Sequence, residues 1–238
     1  MPQQSRASFH YAQPPALPPA EAPLPPRNER ELTREMLFDI LTFFSTLIPS
    51  RFNGAPVRLV VHGGACMLLH PGLYALAQQQ PPPSPSNSPH KTLLRRTTTR
   101  DVDYINRSFA YEWHNMGVPD ATERLKDCMK ITAQKFRLGL DWMNSDADVA
   151  LPMANDPATG QRYDPIYTAA LKPNNVSLHT VFTSPNGMLT LVSVTPFWSV
   201  ALKLVRYTKW DPGDICLLLR LVVIFSWKSM ILAGPYKA

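Results

Sequence analysis

Apolar positions recur along this chain in two rhythms, and their alternation sketches the elements before any motif is read. From Glu29 to Ile48, the residues Leu32, Met36, Ile40, Phe43, Phe44 and Leu47 fall three and four apart, the spacing of one helical face, and Pro49 marks the expected end. Val57 to Val61 is a short apolar run that stops at Gly63 and Gly64 and resumes from Ala65 to Ala77. It reads as strand, tight turn and helix, with Pro71 and Gly72 kinking that helix or ending it early. Thr97 to Ile105 reads as a second strand, and Pro119 to Leu140 as a helix with Leu125, Cys128 or Met129, Thr132, Phe136 and Leu140 on one side and lysines and arginines on the other. Val176–Phe182 and Met188–Val194 read as two strands joined through Ser184-Pro-Asn-Gly187, where Asn-Gly is a turn signal. Pro196 opens a helix running to Tyr207, and Asp214-Ile215 leads into a leucine-rich helix.

Composition changes this picture at the ends and in one insert. The 238 residues suffice for one domain with extensions, and 45% hydrophobic with 18% charged residues is a globular balance. The 25 prolines, however, gather outside the periodic stretches. Residues 1–28 carry paired prolines and few large apolar side chains, so a disordered tail is expected. Residues 78–92 form a low-complexity insert that lengthens the gap between Gly64 and Asp101. The domain proper then spans 29–220. Residues 221–238 form an atypical apolar tail, interrupted by Lys228 and short of the roughly 18 uninterrupted apolar residues of a spanning helix. No membrane role is expected.

A net charge of +6 permits phosphate-bearing partners without demanding them. Three widely spaced cysteines, with no Cys-x-x-Cys and a polar, proline-rich start in place of a signal peptide, argue for reduced thiols in an intracellular protein, cytoplasmic or nuclear.

The candidate chemistry lies in two short stretches. Asp101 and Asp103 stand two apart on a strand, so their carboxylates share one face; like charges repel there, but the pair suits a divalent cation that wants hard oxygen ligands. Gly63 and Gly64 at a helix start allow backbone N–H groups to approach a phosphate closely. Arg95, Arg96 and Arg100 crowd the same strand, either neutralising the aspartates or holding a triphosphate or a nucleic-acid backbone. No Gly-x-Ser-x-Gly elbow and no zinc-ligand spacing occurs, and His62 and His179 read as structural.

Gly63-Gly64, Asp101-Val-Asp103, Asp141-Trp-Met-Asn144 and the closing Ala201-Leu-Lys-Leu with Asp214-Ile215 together resemble the nucleotidyltransferase superfamily, the polymerase-beta-like fold, and within it the small antitoxin-like proteins that include uncharacterised fungal members. The resemblance implies an α/β (α+β) domain, a nucleotidyltransferase-like mixed sheet with packed helices. It implies Asp101 and Asp103 as catalytic metal ligands for magnesium, ATP as the nucleotide, and Gly63, Gly64, Arg100 and Lys203 as its contacts. Transfer of a nucleoside monophosphate to a protein or RNA acceptor follows from it. So does a second reading, a catalytically degenerate fold kept as an antitoxin-like binding or regulatory module. Ala65 replaces a serine of active members, and neither expected strand at 176–182 or 188–194 carries a third acid, which leaves Asp146 and Asp148 as the candidates.

Overall fold

The computed structural model describes residues 23–79 and 95–232, with side chains described through residue 224. The tail to residue 22, most of the low-complexity insert and residues 233–238 lie outside the described residues.

A single strand, Val57–His62, makes the centre. Helix α1 (Arg34–Arg51) leads into β1 (Val57–His62), which α2 (Gly63–Leu69) and α3 (Pro71–Gln78) follow. Beyond the insert come β2 (Val102–Tyr104), α4 (Asn106–Asn115), α5 (Ala121–Phe136) and β3 (Met143–Asn144), then a 3₁₀ turn at Asp146–Ala150. A small hairpin, β4 (Ala154–Asn155) and β5 (Arg162–Tyr163), precedes α6 (Pro165–Ala170), α7 (Pro173–His179), β6 (Thr180–Thr183), β7 (Leu189–Ser193), α8 (Pro196–Arg206) and α9 (Asp211–Leu232). The main sheet runs β3-β2-β1-β7-β6. β1 is parallel to β7 and antiparallel to β2, while β2 and β3 are parallel. This is the mixed sheet with packed helices that the sequence led us to expect.

The period-2 alternation of β1 divides the core. Leu59 and Val61 face one side, where Leu37, Ile40, Leu41, Phe44 and Ile48 of α1 meet Leu125, Cys128, Met129 and Ala133 of α5. Val60 faces the other, against Ile105, Ile166, Tyr167, Ala170 and Val194. Trp142 is wholly buried under Phe44, with its ring N–H donated to the Met129 carbonyl at 3.0 Å. Asp-Trp-x-Asn is therefore partly a core motif.

Three expectations about elements change. Pro49 does not end α1, which runs on to Arg51. A proline there leaves the carbonyl four residues earlier, that of Ser45, without its helical N–H. Asn186 Nδ2, from the turn between β6 and β7, donates to that carbonyl at 3.1 Å instead, so the helix continues at little cost. Residues 176–179 belong to α7 and not to a strand. Pro173 occupies the first helical turn, and the buried Asn175 side chain donates to the carbonyls of Ala170 and Ser193, both at 2.9 Å, pinning that turn to the sheet. Only from Thr180 does the chain pair with β7. Finally, α9 passes residue 220 without a break, and Leu221 packs with Leu217 and Leu218 against Met67, Leu73 and Leu76. Among the described residues, no helix is long and apolar enough to cross a membrane.

Candidate nucleotide site

The last residue of β1 and the middle of β2 are cross-strand partners, His62 opposite Asp103. One residue later Gly63 takes φ 76°, a left-handed conformation that turns the chain into α2. A Cβ on Gly63 would overlap the Asp103 carboxylate, and one on Gly64 would lie 2.6 Å from Thr99 Oγ1 and 2.8 Å from Arg96 Nη1. Both glycines are thus demanded by the close approach of the carboxylate-bearing strand and its arginine.

Asp103 lies within β2, whereas Asp101, expected on the same strand, immediately precedes it; the charge of Asp103 nonetheless reaches the Asp101 carboxyl. Burial raises the pKa of both. For Asp101 the charge of Asp103 adds to that rise. For Asp103 the strongest opposing influence is Arg206, with Lys203 and Arg96 behind it, while Asp146 pushes further upward. A pair of half-buried carboxylates facing three cations is an electrostatically loaded site.

The cations differ in their freedom. Arg206, at the end of α8, is exposed and has no ion-pair partner among the described residues. Arg100 is exposed, and its carbonyl accepts from Asn28 Nδ2 at 2.5 Å. Lys203, expected on a helix surface, is buried: its ammonium lies 2.6 Å from Asp214 and 3.3 Å from Asp211. Arg96 joins them through Asp214 at 2.9 Å and lies over the Trp210 ring. Sequence reasoning names Arg96 in its cluster and Asp214 in the closing motif without pairing either, and misses Arg206 and Asp211 altogether; the closing lysine and Asp-Ile pattern was the signal that could have linked Lys203 to the two aspartates.

Asn28 is a further unanticipated element. Its backbone N–H donates to Asp141 Oδ1 at 2.5 Å, and Gly139 packs so tightly on it that a Cβ there would overlap the Asn28 backbone. The segment before α1 thereby ties the residue preceding Asp101 to the loop that precedes β3.

The third acid is not in ligand position. Asp148 is committed to the start of α4, where its Oδ2 accepts the N–H groups of Asn106 at 2.9 Å and Arg107 at 2.8 Å. Asp146 is exposed and acts on Asp103 through its charge. Among the described residues, no group of three or more His, Cys, Asp or Glu side chains is placed to hold a metal ion. Cys66, Cys128 and Cys216 are all free thiols.

Beside Gly63 lies a cavity of about 290 Å³, lined by His62, Met67, Leu151, Trp198, Lys203 and Arg206 among others. Burial lowers the His62 pKa to about 4, so the ring is neutral at pH 7, and its Nε2 is buried without a hydrogen-bond partner among the described residues.

The chain matches no protein-family model, and comparison with curated proteins and with solved structures likewise returns no match.

Proposed function

We propose that the Asp101–Asp103 site binds a nucleoside triphosphate, ATP in the first instance, together with magnesium, and transfers a nucleoside monophosphate to a protein or RNA acceptor. The observation that carries this reading is the repelling, half-buried aspartate pair held against a glycine turn and faced by Arg96, Lys203 and Arg206. Such a pair costs stability in the unliganded protein, which makes it a functional feature before a structural one.

The donor set fits magnesium. That ion is commonly held by one or two carboxylates, with substrate phosphates and waters filling the remaining positions, so two aspartates suffice for binding. When bound there, magnesium supplies Lewis-acid polarisation of a phosphoryl oxygen. The protein's own groups do the rest. Gly63, lacking a side chain, leaves the Asp103 carboxylate unobstructed; Arg206 is free to pair with phosphate; and the buried cluster of Lys203, Arg96, Asp211 and Asp214 fixes two cationic side chains whose charges its two carboxylates offset.

A second reading, a catalytically degenerate fold that serves as a binding or regulatory module, is favoured by the lack of a third acid ligand among the described residues and by the engagement of Lys203 with two aspartates. Calorimetry of magnesium-dependent ATP binding, on the wild-type chain and on the Asp101→Asn/Asp103→Asn double variant, separates the two when followed by incubation with labelled ATP. Binding that the variant loses, with label appearing on an acceptor, supports the transferase. Binding without transfer supports the module, and silence from a folded wild-type protein refutes nucleotide binding.

A further inference from the structure

We propose that the cleft between α4, the β4–β5 hairpin and the junction of α6 with α7 binds single-stranded RNA, with Tyr111 and Tyr163 as stacking faces for bases and Arg162 and Lys172 as contacts to the phosphate backbone. The inference goes beyond the preceding reading and stands on the cleft alone; where both hold, this RNA is the acceptor. At about 1060 Å³ the cleft stands at the upper end of the ~300–1,000 Å³ of small-molecule pockets. Tyr111, Met116, Arg162 and Lys172 are all exposed along it, so it lies open to a chain. Tyr111 is 62% exposed and Tyr163 37%, and a stacked base takes such ring surface out of water.

The charges of the cleft favour an anion. Glu112 is paired with Arg58 at 3.4 Å and accepts the Tyr167 hydroxyl at 2.5 Å, while Asp164 is paired with Arg107 at 2.7 Å and accepts the Ser108 hydroxyl at 3.0 Å. Arg162 and Lys172 are exposed and have no ion-pair partner among the described residues, so they carry the uncompensated charge. Arg107 also fixes the walls to one another. Its Nη1 donates to the carbonyls of Asp148 at 3.0 Å and Leu151 at 2.9 Å, its Nη2 to that of Pro152 at 2.9 Å, and its Nε to Asp164, which ties both ends of the hairpin segment to α4. The cleft is therefore preformed, and binding carries little ordering cost. Asn115, Gln161 and Thr168, exposed and uncharged, also line it and offer the donors and acceptors that a ribose 2′-hydroxyl takes up, which favours RNA over DNA. Aromatic faces beside free cations suit a polynucleotide better than an acidic peptide, whose carboxylates bring no flat ring.

The test is fluorescence anisotropy of labelled oligouridylate of about ten nucleotides, with a chelator, without ATP, at about 50 mM salt. The wild-type chain is expected to bind it at least about threefold more tightly than oligodeoxyuridylate of the same length, with polyglutamate unable to compete. Tyr111→Ala and Tyr163→Ala each weaken binding about fivefold or more, whereas Tyr111→Phe stays within about twofold of wild type. Arg162→Gln/Lys172→Gln lowers the slope of log affinity against log salt by about 1.4. All four positions are exposed, so the variants keep their fold, which circular dichroism checks. Binding that survives both tyrosine substitutions, that DNA matches or that polyglutamate displaces overturns the proposal, as does the absence of binding by folded wild-type protein. None of these results bears on ATP and magnesium at the aspartates. Tyrosine-dependent RNA binding by a chain that ignores ATP supports the proposal and overturns the preceding reading alone.

Discussion

Asp214 Oδ2 lies 2.6 Å from Lys203 Nζ and 2.9 Å from Arg96 Nη2, so one carboxylate oxygen joins the last two helices to the segment that feeds β2. Asp214 is 1% exposed and Lys203 5%, which makes the cluster a buried one. Two cations sharing one carboxylate, with Asp211 as the second acid, leave a net charge close to zero inside the fold. The cluster also sets the position of Arg96, whose Nη1 lies beside Gly64.

Breaking that cluster at its centre is expected to be severe. Asp214→Asn leaves Lys203 and Arg96 short of their shared charge, and removal of one partner from a buried ion pair costs about 3–5 kcal/mol. Urea unfolding monitored by tryptophan fluorescence measures this directly; a loss below about 1 kcal/mol would show that the cluster is well solvated.

Gly63 and Gly54 offer a matched pair. Both have positive φ, 76° and 77°, but a Cβ on Gly54 meets nothing within 4 Å, whereas one on Gly63 overlaps the Asp103 carboxylate. Gly54→Ala is expected to cost about 1 kcal/mol from backbone strain alone. Gly63→Ala is expected to cost at least twice as much and to displace Asp103, abolishing magnesium-dependent nucleotide binding. Equal costs would mean that Asp103 swings aside freely.

The aspartates should trade stability for binding. Since burial, with the charge of Asp146 behind it, raises the Asp103 pKa, its charge is unfavourable in the unliganded fold. Asp103→Asn should therefore stabilise the protein at pH 7, on the order of 1–2 kcal/mol, while removing magnesium-dependent binding. Thermal unfolding of the two proteins without ligand, then with magnesium and ATP, tests both halves; a destabilised Asp103→Asn contradicts the electrostatic account.

A buried histidine pair should govern acid sensitivity away from the site. His70 Nδ1 accepts the N–H groups of Gly72 at 3.1 Å and Leu73 at 3.3 Å, so its proton is on Nε2, directed at His179 Nδ1 3.1 Å away. Burial lowers both pKa values, that of His179 to about 4, with the His70 charge as the second cause. The unfolded chain binds protons first as pH falls, so the stability these rings contribute is full above about pH 6.5 and is lost on the way down to about pH 4. Asp101 and Asp103 act in the opposite sense over that range, because their folded forms bind protons first. The histidine effect is accordingly read as a difference: His179→Gln should show a shallower loss of stability than wild type between pH 6.5 and 4, and parallel profiles would exclude the pair as its source.

Much of this architecture was legible in local pattern. Spacings of three and four residues define α1 and α5, apolar runs mark β1 and β7, and Pro196 marks the start of α8, because backbone periodicity and proline geometry act locally. Tertiary structure decided what those side chains meet. Val176 and Leu178 alternate like strand residues, yet Asn175 binds the carbonyls of Ala170 in α6 and Ser193 in β7, and the segment is helical. Pro49 looks like a terminator, yet Asn186 takes up the carbonyl it leaves free. Lys203 looks like a surface residue, yet Asp211 and Asp214 bury it. In each case a polar group is satisfied by a partner on another element of the fold. Such pairing depends on where the folded backbone brings the partners, and no short-range spacing encodes it.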